Sequence, residues 1–162
     1  MCIRDSDLFD PDGMTTRAML VSILYRMAGE PDVSELPETP FEDVGPDAWY
    51  ADAVRWAYAN EVAAGMDDTH FAPDDRLTRA QLVTMLYRAY GPEKGVRPRP
   101  IGGYTDWNTV PEWAYPAATW AVSMGLLYGT SSSQLSPNAG ANRAQLAAFM
   151  MRTCELQSEL DA

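Results

Sequence analysis

One phrase occurs three times in this chain, and it sets the scale on which the chain can fold. Each copy has an apolar residue, a Pro two positions later and an Arg-Ala pair that starts eight positions later. The copies begin at Phe9, Phe71 and Leu135, so successive copies are 62 and 64 residues apart. That spacing suits a two-helix unit with a linker, because a repeated unit buries its apolar face against its neighbours. The sequence therefore predicts a repeat protein.

The second and third copies also match upstream of this phrase, at a constant offset of 64 residues. The matched pairs are Trp49 with Trp113, Trp56 with Trp120, and Gly65 with Gly129. The first copy has no such upstream half, and residues 1–6 resemble the translated end of a transposase adapter used in sequencing libraries. We therefore leave residues 1–6 out of the fold and expect a fragment whose first repeat is cut in half.

Two segments rich in Pro and Gly divide the chain into units. These segments, residues 29–40 and 92–103, interrupt the helical periodicity and are predicted to be linkers. The predicted organisation is adapter-derived residues 1–6, a partial first repeat 7–28, a linker 29–40, a second repeat 41–91, a linker 92–103, a third repeat 104–154 and a C-terminal tail 155–162.

Each unit is predicted to be a helix, a loop and a second helix, which makes the fold class all-α. Residues 49–60 carry apolar side chains at helical spacing, and the matching helix of the third unit can start at Pro116. The second helix has a broad apolar stripe over residues 82–90, which recurs at 20–27 and 146–151. Extended pieces are expected, at most, around residues 41–44 and 104–107.

The start of the second helix carries a capping signal. Thr78-Arg-Ala-Gln81 has the form of a capping box, and Asn142-Arg-Ala-Gln145 is a variant with Asn as the cap. Thr16 keeps the cap in the first copy, where Met19 replaces the reciprocal Gln.

Composition limits the kinds of partner and chemistry. A net charge of −11 disfavours nucleic acid and anionic membranes, so an anionic ligand needs local cations. His70 is the only histidine, and Cys154 is the only cysteine outside residues 1–6. These counts argue against a disulfide framework, a His-based triad and a metal site, and no cofactor is expected. No apolar run approaches the ~20 residues of a membrane span, so membrane insertion is not expected.

Two sets of arginines recur in all three units. The set at the start of the second helix is Arg17, Arg79 and Arg143, and the set nine residues later is Arg26, Arg88 and Arg152. At ~100° per residue the two sets point to opposite sides of the helix, so we expect no shared role. The helix dipole and the apolar stem explain the later set.

The first set needs another explanation, because a cation in the first turn faces the positive end of the helix dipole. A carboxylate or phosphate bound by the guanidinium and free backbone N–H groups is one explanation. An ion pair with a repeat acid is the other, and Asp43, Asp74 and Asp106 are the candidates. Both stay open.

The recurring Trp and Gly residues also allow two interpretations. Trp56 and Trp120 are predicted to lie firmly in the core. Trp49 and Trp113 stand at a helix start, where each either packs in the core or presents a ring face to a sugar. Gly65 and Gly129 follow the first helix, which indicates a left-handed C-cap or a close approach by a ligand.

The elements from Phe41 to Gln81 read Phe-x-Asp-Val, Trp-Tyr-x-x-Ala-Val, Gly, Phe-x-Pro and Leu-Thr-Arg-Ala-Gln. This pattern resembles an S-layer homology (SLH) repeat, and the resemblance covers half a repeat and two full ones. It implies a pseudo-threefold bundle with the Thr-Arg-Ala helices at the centre. It also implies grooves between repeats that bind secondary cell-wall polysaccharide, often pyruvylated, or a peptidoglycan-linked glycan.

The resemblance further implies a non-catalytic module that anchors a larger extracellular protein to the bacterial cell wall or S-layer. The ligand-binding residues that it assigns are Arg17, Arg79, Arg143, Gly65, Gly129, Trp49 and Trp113. The family's acid after Thr-Arg-Ala is replaced in every copy, by Met19, Gln81 and Gln145. Two alternatives stay open: a self-associating assembly domain of a surface layer, and part of a glycan-active enzyme.

A halved first repeat has a structural consequence. Its second helix lacks the helix that precedes it in the other units, so Leu20, Ile23 and Leu24 are expected to lack part of their cover and to leave an exposed patch. We therefore expect the fragment to be less stable than its parent region.

Overall fold

A computed structural model describes residues 10–91 and 100–160 of the protein. The regular elements in these ranges are helical, and no strand is present there, which confirms the all-α prediction. The α-helices are α1 (Arg17–Met27), α2 (Ala51–Ala59), α3 (Arg79–Tyr90), α4 (Tyr115–Ser123) and α5 (Arg143–Leu160).

The segments outside these helices are irregular. Residues 41–44 and 104–106, where short extended pieces were expected, form turns and bends, and a 3₁₀ turn (Trp107–Thr109) follows. A second 3₁₀ turn (Glu112–Ala114) leads into α4, which begins one residue before Pro116. Residues 1–6 and most of the linker 92–103 lie outside the described residues.

The caps read from the sequence are present at the three second helices. The Thr78 hydroxyl accepts from the Gln81 N–H at 3.2 Å, and the Gln81 side chain accepts from the Thr78 N–H at 3.1 Å. Asn142 and Gln145 form the same reciprocal pair. Thr16 accepts from the N–H of Met19 alone. The capping-box prediction is therefore confirmed, including its loss in the first copy.

A closed triangle of backbone hydrogen bonds lies where the three units meet. The Leu77 N–H donates to the Thr15 carbonyl at 2.9 Å, and the Ala141 N–H donates to the Leu77 carbonyl at 2.8 Å. The Thr15 N–H closes the triangle on the Ala141 carbonyl at 3.3 Å. Because these are equivalent positions of the repeat, the contacts give the bundle a pseudo-threefold axis.

Each second helix starts against the Pro-containing turn of another unit. In the first turn of each of these helices, an alanine N–H donates a hydrogen bond to a proline carbonyl of another unit. The pairs are Ala18 with Pro73, Ala80 with Pro137 and Ala144 with Pro11, at 3.0, 2.9 and 3.0 Å. The first unit thus donates to the second, the second donates to the third, and the third donates to the first. The described part of the first unit closes this ring, because it carries both the start of α1 and the turn at Pro11.

The helices also pack from unit to unit. The second helix of one unit lies against the first helix of the next, so α1 packs on α2 and α3 packs on α4. Leu20 and Leu24 have no exposed surface and share one hydrophobic cluster with Val54 of α2. The expected exposed patch at Leu20 and Leu24 is therefore wrong, and Ile23 is partly buried against the same cluster. Their cover comes from the following unit.

The tryptophans of the first helices differ in burial. Trp120 is 3% exposed, as predicted for a core residue. Trp56 is only partly buried, and its ring centroid lies 5.9 Å from that of Tyr25. The prediction of a firm core position is wrong for Trp56, because it lies at the edge of the packing between α1 and α2.

Candidate functional site

Arg17 lies at the start of α1 and reaches into the second unit. Its side chain is buried, its Nε–H donates to the Phe71 carbonyl at 2.9 Å, and Nη2 donates to the Ala64 carbonyl at 2.7 Å. The guanidinium also lies 4.7 Å from the centroid of the Phe71 ring. Burial lowers the pKa of Arg17 below its ordinary value, and the charges of Asp75 and Asp43 partly offset this effect.

Arg79 repeats this arrangement between the second and third units. Nε donates to the Leu135 carbonyl at 3.0 Å, and Nη2 donates to the Tyr128 carbonyl at 2.6 Å. Burial again lowers the pKa, against the opposing charge of Asp106. The two arginines are therefore equivalent in structure as well as in sequence.

Neither explanation offered for these first-turn arginines matches the structure fully. Among the described residues, neither Arg17 nor Arg79 forms an ion pair with a repeat acid. Their helix starts also lack free N–H groups, because the Arg17 N–H donates to the Asp75 carbonyl and the Arg79 N–H donates to the Ala139 carbonyl. Carbonyl oxygens of the neighbouring unit thus offset the positive helix end and the guanidinium together.

Two of the three candidate acids, Asp43 and Asp106, hold loops instead. Asp43 accepts from the N–H groups of Phe71 and Ala72 at 2.8 and 2.7 Å. Ala72 has a φ of 55°, a left-handed conformation that disfavours a residue with a Cβ. Two charge-assisted hydrogen bonds fix the backbone at this point. The loop carbonyls of Phe71 and Ala64 then lie where Arg17 requires them.

Asp106 does the same in the third unit. Its carboxylate accepts from the N–H groups of Leu135 and Ser136, each at 2.8 Å, and Ser136 has a φ of 51°. Desolvation raises the pKa of Asp106, but the backbone hydrogen bonds outweigh it, so the pKa is lowered.

Gly65 and Gly129 are required by close packing. Neither has a positive φ, so the left-handed C-cap interpretation is wrong for both. A Cβ on Gly65 would lie 2.7 Å from the His70 carbonyl oxygen and 2.6 Å from the Phe41 ring. A Cβ on Gly129 would overlap the carbonyl oxygens of Ser131 and Gln134. Each glycine lets its tight loop fold back on itself.

A cavity of about 250 Å³ lies where the three units meet around Arg17. Arg17 comes from α1, Gly65 from the loop after α2, and Trp113 from the 3₁₀ turn before α4. Trp113 is 55% exposed. The fold thus brings together three residues that the sequence placed in a ligand site, although they come from three different units.

One face of α3 forms another wall of this cavity. The lining residues on that face are Gln81, Thr84, Met85 and Arg88. Gln81 and Arg88 are seven residues apart, which places them two turns apart on one side of the helix. The nine-residue spacing places Arg88 and Arg79 on opposite sides of α3, and it gives no sign that Arg88 shares a cavity with Arg17. The Gln81–Arg88 spacing is the signal that could have found it.

The family model for the S-layer homology domain matches residues 40–83 and 103–147, together more than half of the chain. The chain belongs to the S-layer homology domain family. The matched segments contain both upstream halves and both complete Thr/Asn-Arg-Ala helix starts.

Curated relatives match the chain along most of its length. They include an endoglucanase of Bacillus sp. (strain KSM-635), 31% identical over 88% of this chain and 15% of the enzyme. The surface-layer 125 kDa protein of Lysinibacillus sphaericus is 31% identical over 91% of this chain and 12% of that protein. The cellulosome-anchoring protein of Acetivibrio thermocellus is 25% identical over 91% of this chain and 34% of that protein.

The SLH chain therefore spans about a third or less of these relatives' own lengths. Relatives named as enzymes and relatives named as surface-layer proteins match over the same kind of segment, the SLH region. The similarity therefore concerns a module that differently named proteins share.

The remaining predicted SLH site residues lie away from this cavity. Trp49 is 49% exposed and packs edge-on against Tyr50. Gly129 belongs to the loop that receives Arg79. Arg143 is partly exposed, and its N–H donates to the Gly13 carbonyl at 2.9 Å, which ties the third SLH unit to the first.

Within residues 10–91 and 100–160, no helix combines the length and apolar character needed to cross a bilayer. The same ranges contain no group of three or more His, Cys, Asp or Glu side chains arranged to hold a metal ion.

Proposed function

We propose that this SLH chain anchors a larger surface protein to the bacterial cell wall by binding a secondary cell-wall polysaccharide in the cavity around Arg17. SLH domains serve as cell-wall anchoring modules in surface-layer and cellulosome-anchoring proteins. The observation that carries the proposal is the meeting of Arg17, Gly65 and Trp113 from three units in one cavity. The site of action is extracellular, at the cell wall or S-layer.

The cavity has the chemistry that an acidic sugar requires. Trp113 offers an exposed aromatic surface for a sugar ring face. Arg17 uses Nε and Nη2 for the loop carbonyls, and a guanidinium has five N–H donors, so donors remain for an acidic substituent such as a ketal-linked pyruvate. No acidic residue is among the described residues that line the cavity.

The proposed function involves no turnover. His70 pairs with Asp67 in an exposed loop, and neither residue lines the cavity. A general acid or base has to lie within hydrogen-bond reach of the reacting group, so these residues are poorly placed for glycan cleavage at this site. We therefore expect bound polymer to keep its length.

Retention on purified cell-wall polysaccharide tests the proposal. We expect Trp113→Ala to weaken retention about tenfold, because an exposed Trp at the centre of a contact contributes strongly to binding. Trp107→Ala is the matched control, since Trp107 is 45% exposed and does not line the cavity.

Equal losses in the two variants would contradict the assignment of the site. If the unchanged chain self-associates but fails to bind the polymer, the alternative of a structural assembly domain is favoured. If the polymer becomes shorter during incubation, the non-catalytic interpretation is wrong.

A further inference from the structure

The three arginines that follow the helix start by nine residues have different surroundings. Nε of Arg26 lies 3.7 Å from the Glu30 carboxylate in an ion pair. Arg152 lies 4.5 Å from the centroid of the Tyr128 ring and donates to a backbone carbonyl at 3.3 Å. For Arg88, no described residue supplies an acceptor, an ion pair or a ring contact. Of the three, only Arg88 borders the cavity around Arg17.

One side-chain difference accounts for the contrast between Arg88 and Arg152. Tyr128 stands 64 residues after Ala64, at the equivalent point of the loop. Its ring lies under Arg152, whereas the methyl group of Ala64 offers Arg88 no aromatic face. Contacts of the arginine with the protein therefore compete with a ligand in the third unit but not in the second.

The charge of the cavity follows from the same set of residues. Two arginines line it, and the family's acidic position is occupied by the neutral Gln81. The Gln81 side chain also caps α3 at Thr78. In a chain with a net charge of −11, the described residues that line the cavity carry two positive charges and no carboxylate, although Asp43 and Asp75 act on Arg17 from outside the lining.

We propose that Arg17 and Arg88 form a two-cation site that selects a ligand carrying two anionic groups within one or two sugar units. The proposal rests on the proposed polysaccharide binding and specifies its ligand. The cavity volume of about 250 Å³ is below the ~300–1,000 Å³ of sites for drug-sized molecules, so both anionic groups have to lie close together. Arg88 then determines specificity by adding a second charge-assisted contact.

D-glucarate and D-gluconate are suitable probes, because they share a six-carbon polyol chain and differ by one terminal carboxylate. Calorimetric or NMR titration of the full chain should show glucarate binding about tenfold more tightly than gluconate. Arg88→Gln should remove most of that preference and change gluconate affinity by less than about twofold. Arg88→Lys should restore part of it, because the charge is retained.

Arg152→Gln is the control, because the Arg152 guanidinium stacks on the Tyr128 ring and does not line the cavity. This variant should keep the preference for glucarate. Glucarate and gluconate binding equally to the unchanged chain would overturn the two-cation site, as would failure to bind either probe. An unchanged preference in Arg88→Gln would overturn it as well. If glucarate preference depends on Arg88 but wall polymer is not retained, the two-cation site stands and the anchoring function fails.

Discussion

At the scale of single residues, an arginine's role in this protein depends on what its guanidinium contacts. Arg79 is buried and serves two carbonyls of the third unit. Arg88 is exposed, and no described residue accepts a hydrogen bond from its guanidinium. Sequence position alone ranked Arg79 as a ligand residue and Arg88 as incidental. The contacts instead show that Arg79 holds the loop of the next unit, while the exposed Arg88 lines the cavity around Arg17.

We expect Arg79→Ala to lower the free energy of unfolding by about 2–4 kcal/mol, because two loop carbonyls lose their donor in a buried or partly buried place. Arg88→Ala should change it by no more than about 0.5 kcal/mol, as is usual for an exposed residue without partners. Urea denaturation of both variants measures the difference. Equal stability of the two variants would mean that the carbonyls find other donors.

At the scale of elements, the loops before α3 and α5 are each held by an acid from far upstream. Asp106 bonds the backbone of Leu135 and Ser136, and the adjacent Leu135 carbonyl accepts from Arg79. The carboxylate therefore stabilises the element that the arginine of another unit needs. Asp106 and Arg79 thus hold the same loop, one through its N–H groups and the other through a carbonyl.

The lowered pKa of Asp106 gives this element a pH dependence. A lowered folded-state pKa adds stability above the unfolded value of ~3.9, and that stability is lost as the pH falls through the folded-state pKa. We expect Asp106→Asn to cost about 1 kcal/mol at neutral pH, a value that allows for solvent screening of a partly exposed group. The deficit should shrink below about pH 4.

Denaturation curves at pH 7 and at successive values below 4 measure this effect, with Asp47→Asn as a control at an exposed position. A deficit for Asp106→Asn that stays constant over this range would show that the carboxylate's charge contributes nothing.

At the scale of the whole molecule, the three units form a closed ring around the pseudo-threefold axis, but the outer faces of their second helices are not covered equally. Backbone bonds link all three units around the axis. The outer side is less regular, because α2 covers α1 and α4 covers α3, whereas the equivalent face of α5 is exposed in the described structure. Val83 is 1% exposed, but Ala147, 64 residues later, is exposed.

This asymmetry predicts different responses at equivalent positions. Val83→Glu should unfold the chain or cost more than about 3 kcal/mol, because it places an unpaired charge under α4. Ala147→Glu should change the free energy of unfolding by no more than about 0.5 kcal/mol. Circular dichroism melting of both variants provides the test. Strong destabilisation by Ala147→Glu would indicate that the face of α5 is covered in solution.

The repeat spacing, the helices, their caps and the family could all be predicted from the amino-acid sequence. These features are local or periodic: a cap and its Gln are three residues apart, and an apolar stripe repeats within one helix. Arg17, Gly65 and Trp113 could also be named as candidate ligand residues, because the motif that carries them recurs in order and spacing.

Which side chains and carbonyls meet could be seen only in the folded bundle. Arg17 contacts Ala64 and Phe71, 47 and 54 residues away, and shares its cavity with Arg88 of another helix. The first-turn N–H groups go to carbonyls of a neighbouring unit, and Gly65 is required by its own folded loop. Helical periodicity orients a side chain relative to its own helix. It does not specify which neighbouring unit that side chain faces, because that depends on how the three units close around their axis.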